Sequence, residues 1–173
     1  MNWFKISSGE DFIAKVKKTL KMHPFTQALA SYYNIPLSDI DNGLQIEILD
    51  LGGKFAEGNG KVIRIDKKLL QDDFFKENFH FVVHEFFHWL KRRSEDKFYF
   101  NDPEEIQSFV LQMAWEFAEG KSQKDVTNKI YPILQTHFKN NEEKLDSVFK
   151  EMIEKAIYLA NVYEKEKDFT MRL

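Results

Sequence analysis

Two of the five histidines in this 173-residue chain, His84 and His88, stand four residues apart with Glu85 between them. Residues four apart on an α-helix lie on one face, one turn apart, so both imidazoles can bind the same metal ion. Neutral imidazole is a good zinc ligand near pH 7. Glu85 points about 100° around the helix from His84, where it can reach a metal-bound water rather than the metal. The pattern predicts a site that activates water for hydrolysis, with Glu85 as general base.

The bare H-E-x-x-H pattern arises by chance in about one such sequence in a hundred, so its neighbours decide how much it means. The residues around the motif are uncharged: Phe81, Val82, Phe86, Phe87, Trp89 and Leu90. A buried glutamate beside two buried histidines is costly without a partner or a purpose. The alternative hypothesis is a helical interaction protein in which the motif is accidental, with two core histidines and a capped carboxylate.

The element that must position these side chains is segment 72–92, the most apolar part of the chain. A helix that is apolar nearly all round belongs in a protein core, so we predict a buried helix here. Before it, residues 44–66 alternate apolar and polar side chains between closely spaced glycines, which predicts two or three short strands joined by tight turns. Residues 37–43 have the composition of a turn.

Helical spacing of apolar residues recurs on both sides of this region. The predicted helices cover 10–22, a short stretch from Pro24 to just before Pro36, about 103–120, 122–138 and 142–166. Pro132 should kink or split the helix over 122–138. Helices, then a small antiparallel or mixed sheet, then more helices predict an α+β fold. The length suits a single domain, 1–173, with 122–166 as its helical C-terminal part or as an accessory extension.

With its uncharged neighbours, the motif resembles the metal-binding helix of the zincin metallopeptidases. The resemblance covers roughly residues 44–118 and implies a zincin-like fold with zinc as the metal. It also implies that segment 60–66, before the helix, is the edge strand against which an extended substrate lies as an added strand. In the gluzincin subgroup the third zinc ligand is a glutamate on a following helix.

A tetrahedral catalytic zinc site needs a third protein ligand and one open position. Residues 89–101 contain no histidine at the short spacing of the metzincins. The helix that Asp102 and Pro103 are expected to begin supplies Glu104 and Glu105 instead. In gluzincin-like families, including the ImmA/IrrE type and the membrane CAAX-processing peptidases, a small residue often stands three positions after the ligand, as Ser108 does after Glu105. The resemblance implies zinc bound by His84, His88 and Glu105, with Glu104 as the substitute.

Both acids also have a purely structural explanation, because negative side chains stabilise the N-terminus of a helix. The chain departs from the gluzincin pattern at Phe109, where some members have an acid that orients a histidine, and at Phe81, where Val or Thr is common. His80 stands one turn before His84 and is predicted to be a supporting or ordinary buried histidine. Candidates for stabilising an oxyanion are Tyr99, Tyr131 and His137, but packing or surface exposure explains each of them better.

Composition narrows the functional classes. The net charge of −3 argues against nucleic-acid binding, and the cations of segment 91–93 are explained by their place at a helix C-terminus. The chain has no cysteine, so any metal must be held by His, Asp or Glu. No secretory signal and no membrane span are recognised, which makes a cytoplasmic protein the default expectation.

The leading hypothesis is a zinc-dependent metallopeptidase whose partner is a peptide or protein substrate. The second hypothesis is a zincin-like domain that keeps its metal but serves as a regulatory or interaction module without catalysis. Neither hypothesis specifies the cleavage preference or the oligomeric state.

Overall fold

A computed structural model describes residues 9–93, 104–138 and 142–170 and has an α+β architecture, as the sequence predicts. Its helices are α1 (Gly9–Met22), α2 (Pro24–Tyr32), α3 (Ser38–Asn42), α4 (Asp72–Lys91), α5 (Glu104–Ala118), α6 (Gln123–His137) and α7 (Glu142–Thr170). Its strands are β1 (Gln45–Leu49), β2 (Ala56–Gly58) and β3 (Val62–Asp66). The chain divides into two compact units, an N-terminal unit (Met1–Lys97) and a C-terminal unit (Phe98–Leu173).

The N-terminal unit begins with the two helices that periodicity predicts. His23 caps α2, because its Nδ1 accepts a hydrogen bond from the amide of Phe25 at 3.2 Å. The prediction of a turn over 37–43 was wrong in part, since Ser38–Asn42 form the short helix α3. A single helical turn and a β-turn share the same polar residues, so composition does not separate them.

His23 makes the stability of the N-terminal unit depend on pH. Burial lowers the pKa of His23 from 6.5 to about 4. Below about pH 6.5 the unfolded chain therefore takes up a proton that the folded chain refuses, and stability is lost until about pH 4. His23→Asn retains a capping oxygen but does not titrate. We expect urea denaturation to show a smaller loss of stability between about pH 7 and about pH 4.5 for this variant than for the parent.

The sheet is mixed, with the strand order β1-β3-β2. β3 pairs with β1 in parallel and with β2 antiparallel. The expectation that segment 60–66 is an edge strand was therefore wrong: β3 is the central strand, and β2 lies at one edge. The physical reason is that the backbone of β3 is hydrogen-bonded on both sides, to β1 and to β2, while Ile63 and Ile65 (1% and 0% exposed) face the core.

Asp66 holds the end of β3 in place and is itself 1% exposed. Its carboxylate accepts hydrogen bonds from the amide of Leu51 at 2.7 Å and from the amide of Lys68 at 2.9 Å. Through the second bond it caps the 3-10 helix Lys67–Leu70, which leads into α4. Charge-assisted bonds to backbone amides satisfy a carboxylate that would otherwise be costly to bury.

Helix α4 forms the core of the N-terminal unit and contacts β2, β3 and the 3-10 helix. Phe87 of α4 packs edge-on against Phe25 of α2, and Phe75 packs edge-on against Phe12 of α1. Six α4 side chains are at most 1% exposed: Val82, Val83, Phe86, Phe87, Trp89 and Leu90. The prediction of a buried helix is confirmed for residues 80–90, which carry the motif, whereas Asp73, Phe74, Lys76 and Glu77 in the first half of α4 are exposed.

The C-terminal unit consists of α5, α6 and α7, and α5 packs on both of the others. Ser122 and Asp125 form a capping box at the start of α6, satisfying two amides of its first turn. The expected split at Pro132 does not occur, since α6 is continuous through this residue. The expected helix start at Asp102 and Pro103 lies outside the described residues. Within the described parts of the chain, none of the helices has the length and apolar character needed to cross a membrane.

Candidate metal centre

His84 and His88 are brought together on α4, both 8% exposed. Their Nε2 atoms lie 3.2 Å apart, and the two rings meet nearly edge to face, with centroids 4.9 Å apart. The four-residue spacing places both rings on one side of the helix. Each ring thus directs its Nε2 atom toward a common point.

The separation of these two nitrogens fits a tetrahedral zinc ion. Zn–N bonds of about 2.0 to 2.1 Å at a tetrahedral angle place two ligand nitrogens about 3.3 to 3.4 Å apart. The observed 3.2 Å is close to that distance. The imidazole pair therefore fits a shared cation without a change of helix geometry.

Glu85 is half-buried and lies beside the edge strand β2. A Cβ atom built on Gly58 would stand 2.6 Å from Oε2 of Glu85, closer than real Cβ contacts come. The carboxylate therefore occupies space that any residue other than glycine would take. The backbone of β2 and the side chain of Glu85 are matched to each other across 27 residues of sequence.

Gly58→Ala tests this contact. The added methyl group would push the Glu85 carboxylate aside. If the motif hydrolyses peptides, as the leading hypothesis from the sequence holds, we expect about 10- to 100-fold lower activity with little change in zinc affinity. Peptide hydrolysis and zinc binding should be measured on the same preparation. The control is Ala56→Gly, which changes another residue of β2, the strand that contains Gly58. Gly120→Ala would not serve, because the φ of Gly120 is +80°, which alanine rarely adopts. Full activity in Gly58→Ala would show that the position of Glu85 is irrelevant to turnover.

His80 is 9% exposed, which confirms the expectation of a buried histidine. Its Nδ1 lies 3.0 Å from the carbonyl oxygen of Glu77, so Nδ1 carries the proton and donates it there. Its ring packs against Phe81, with centroids 4.2 Å apart, and Phe81 in turn stacks on Phe55. These contacts give His80 a packing role on the turn before the motif.

Glu105 belongs to the C-terminal unit, where it lies exposed in the first turn of α5. It stands at the start of a row of polar residues along this mostly apolar helix: Glu105, Ser108, Gln112 and Glu116, spaced three or four residues apart. The last three are buried, at 1%, 1% and 5% exposed. This polar face was not predicted, although its polar residues recur at helical spacing in the sequence. The side chain of Glu104 lies outside the described residues.

The C-terminal end of this polar face, at Glu116, forms an ion pair. Lys129 of α6 donates to Oε1 of Glu116 at 2.8 Å. Burial, and after it the charge of Glu116, raise the pKa of Glu119, which follows the end of α5, while the charges of Lys121 and then Lys129 act in the opposite direction. Lys129 is thus the ion-pair partner of Glu116, and together with Lys121 it offsets the charge of the nearby Glu119.

The oxyanion candidates gain no support from the C-terminal unit. The hydroxyl of Tyr131 donates to Asp146, and its ring packs edge-on against Phe149. These bonds join α6 to α7 and explain Tyr131 as a structural residue. Tyr99 and the side chain of His137 lie outside the described residues.

Comparison of the chain with protein family models, with curated proteins and with solved structures finds no match.

Proposed function

We propose that this protein is a zinc-dependent hydrolase of the zincin type that cleaves peptide bonds. The observation that carries the proposal is the pair of buried imidazoles, with Nε2 atoms 3.2 Å apart, on a helix that also presents Glu85. Two neutral imidazoles and a carboxylate that is not needed as a ligand form the donor set that metal-assisted hydrolysis requires.

Zinc at this site would supply Lewis acidity toward a carbonyl and lower the pKa of a water molecule. Glu85 accepts a proton from the attacking water as the water oxygen bonds to the carbonyl carbon. The same carboxyl then donates that proton to the amine nitrogen as the C–N bond breaks. Gly58 leaves the space in which this carboxylate lies, and the apolar side chains of α4 around the motif keep the site at low polarity.

We propose Glu105 as the third ligand, with Glu104 as the substitute. The support comes from chemistry. A carboxylate completes the zinc set that two histidines begin, and Glu105 is an exposed acid at the head of the polar face of α5. One anionic ligand also offsets part of the charge of a divalent ion, which neutral imidazoles do not.

Zinc titration tests the ligand set. We expect the parent protein to bind one zinc ion, and His84→Ala or His88→Ala to weaken binding by more than about 100-fold, because a ligand contributes more than a residue that merely supports one. His80→Ala is the matched control, a buried histidine on the same helix, and should bind zinc like the parent. Glu105→Ala should weaken binding, whereas Glu104→Ala should not.

Each alternative hypothesis predicts a different result in zinc binding or peptide hydrolysis. Protein that is purified without zinc and takes up none would contradict every metal-dependent function. Zinc binding that is lost in Glu104→Ala but kept in Glu105→Ala would move the third ligand by one residue. Zinc binding without hydrolysis of any peptide would favour a regulatory module over a peptidase.

A further inference from the structure

The turn between β2 and β3 contains one of the two Asn-Gly pairs of the chain, Asn59-Gly60; the other is Asn42-Gly43, at the end of α3. The side-chain carbonyl of an asparagine is open to attack by the backbone nitrogen of the next residue. Glycine hinders this nitrogen least, because it has no Cβ. The two pairs share the same local chemistry, so a difference in their reactivity has to come from the structure around them.

The turn depends on both residues of the pair Asn59-Gly60. Oδ1 of Asn59 accepts hydrogen bonds from the amides of Lys61 and Val62, each at 3.0 Å. Gly60 has a φ of +74°, and a Cβ atom built on it would stand 2.1 Å from Nε of Arg92. Only glycine fits this conformation and this space. The turn therefore keeps asparagine and glycine together although the pair is chemically labile.

The reacting groups of this pair are accessible. Asn59 is exposed. Within the parts of the chain that the structure describes, neither the amide of Gly60 nor the side-chain nitrogen of Asn59 donates a hydrogen bond. The rings that Oδ1 closes with Lys61 and Val62 enclose the Gly60 peptide, so the side chain is folded toward the nitrogen that would attack it. Both amides also point at the oxygen on which negative charge would develop.

The pair Asn42-Gly43 is protected. The amide of Gly43 donates to the carbonyl oxygen of Asp39 at 2.7 Å, which holds the hydrogen that has to leave before the nitrogen can attack. Gly43 is also packed against Arg93, since a Cβ atom built on it would stand 2.7 Å from Nη2. The end of α3 therefore has to open before Asn42 can react.

We propose that Asn59 is a site of spontaneous modification, at which water converts the asparagine to isoaspartate and aspartate. The Gly60 nitrogen loses its proton to hydroxide and bonds to Cγ of Asn59. The bond from Cγ to Nδ2 then breaks, and Nδ2 takes a proton from water and leaves as ammonia. The product of this step is a cyclic imide that contains the Gly60 nitrogen.

Water then opens the imide at either of its carbonyl carbons. Attack at Cγ gives aspartate in the original chain, whereas attack at the backbone carbonyl carbon gives isoaspartate, in which the chain runs through Cγ. Both products carry a carboxylate in place of the neutral amide. The modification goes beyond the proposed function and does not depend on it.

Isoaspartate also lengthens the backbone of the turn by one methylene group, between Gly58 and Gly60. These two glycines lie against Glu85 and Arg92 of α4 with no room for a Cβ atom. A longer backbone has to displace at least one of these contacts. We therefore expect the modified protein to be less stable than the parent.

Incubation of the folded parent protein at mildly alkaline pH tests the proposal. Mass spectrometry of one tryptic digest detects the exchange of NH2 for OH in peptide 55–61, which contains Asn59, and in peptide 22–54, which contains Asn42. Fragmentation assigns the residue, and a protein isoaspartate methyltransferase measures isoaspartate. We expect Asn59 to react at least about fivefold faster than Asn42, because a hydrogen bond has to break before Asn42 can react. In urea the two rates should converge.

Equal rates at the two pairs in the folded protein, or a faster reaction at Asn42, would overturn the proposal. A difference of the same size in urea would also overturn it, because the local sequence rather than the folded turn would then set the rates.

Two variants connect the modification to stability. Asn59→Ser keeps an oxygen that accepts from the turn amides but has no amide to lose. After the same incubation we expect the Tm of the parent to fall and that of Asn59→Ser to stay at its starting value. Asn42→Ser is the matched control and should age like the parent. A parent protein that accumulates isoaspartate at position 59 with no change in Tm would refute the effect on the contacts with α4.

Discussion

Replacing Glu85 by glutamine is expected to lower kcat for peptide hydrolysis by about 10²- to 10⁴-fold and to leave zinc affinity unchanged. The two side chains have the same shape, so the fit against Gly58 is retained. An amide oxygen does not accept a proton from water at neutral pH, so the step that depends on the carboxylate fails. Steady-state kinetics and zinc titration on one preparation measure both effects.

The matched control for this experiment is Glu77→Gln, the same change at an exposed acid of the same helix. It should leave both kcat and zinc affinity at the values of the parent. If Glu85→Gln hydrolyses peptides at the parental rate, Glu85 is not the general base. If in addition His84→Ala abolishes the biological activity, zinc serves a scaffolding role and the regulatory alternative gains.

Replacing Lys129 by methionine is expected to lower the free energy of unfolding by about 2 to 3 kcal/mol. Glu116 is 5% exposed, and without Lys129 its carboxylate is left in the bundle with the acid of Glu119 one turn away. Removing one partner of a fully buried pair costs about 3 to 5 kcal/mol; the side chain of Lys129 is 30% exposed, so we expect a smaller loss. Urea denaturation followed by circular dichroism measures the effect.

Lys124→Met provides the control, because Lys124 is an exposed cation on the same helix; it should change stability by less than about 0.5 kcal/mol. Combining Lys129→Met with Glu116→Gln should recover much of the loss, since the unpaired charge is then removed from the interior. Equal stability of Lys129→Met and the parent would show that the ion pair does not contribute to the bundle.

The sequence alone was sufficient to predict the helices and strands that depend on residues close together in the chain. The apolar stretch of α4 and the four-residue spacing of His84 and His88 depend on helical periodicity, which is written along the chain. The alternation within 44–66 predicts strands for the same reason. The ends of α1, α2 and α6 follow from Pro24, from the capping residues of α6 and from apolar spacing, so their predicted bounds agree with the structure to within a few residues.

The order of the strands was decided only by tertiary structure. Periodicity states that β3 is extended but carries no information on which strands flank it. The antiparallel pairing of β3 with β2 is local, but the parallel pairing with β1 joins Ile46 to Ile63 past the whole of β2 and leaves β2 at the edge. The resemblance to the zincins implied an edge strand for segment 60–66, whereas β3 lies between β1 and β2. The short helix α3 was missed because a five-residue element has too few periodic positions to be recognised.

Contacts within each unit likewise join residues that are distant in sequence. Gly58 leaves space for Glu85 in the N-terminal unit, and Lys129 pairs with Glu116 in the C-terminal unit. The two histidines and the glutamate of the motif could be recognised from the sequence because one helical turn relates them. Their neighbours could not, because a contact between distant residues depends on how the backbone folds in three dimensions, and single-sequence patterns record only what lies within a few residues.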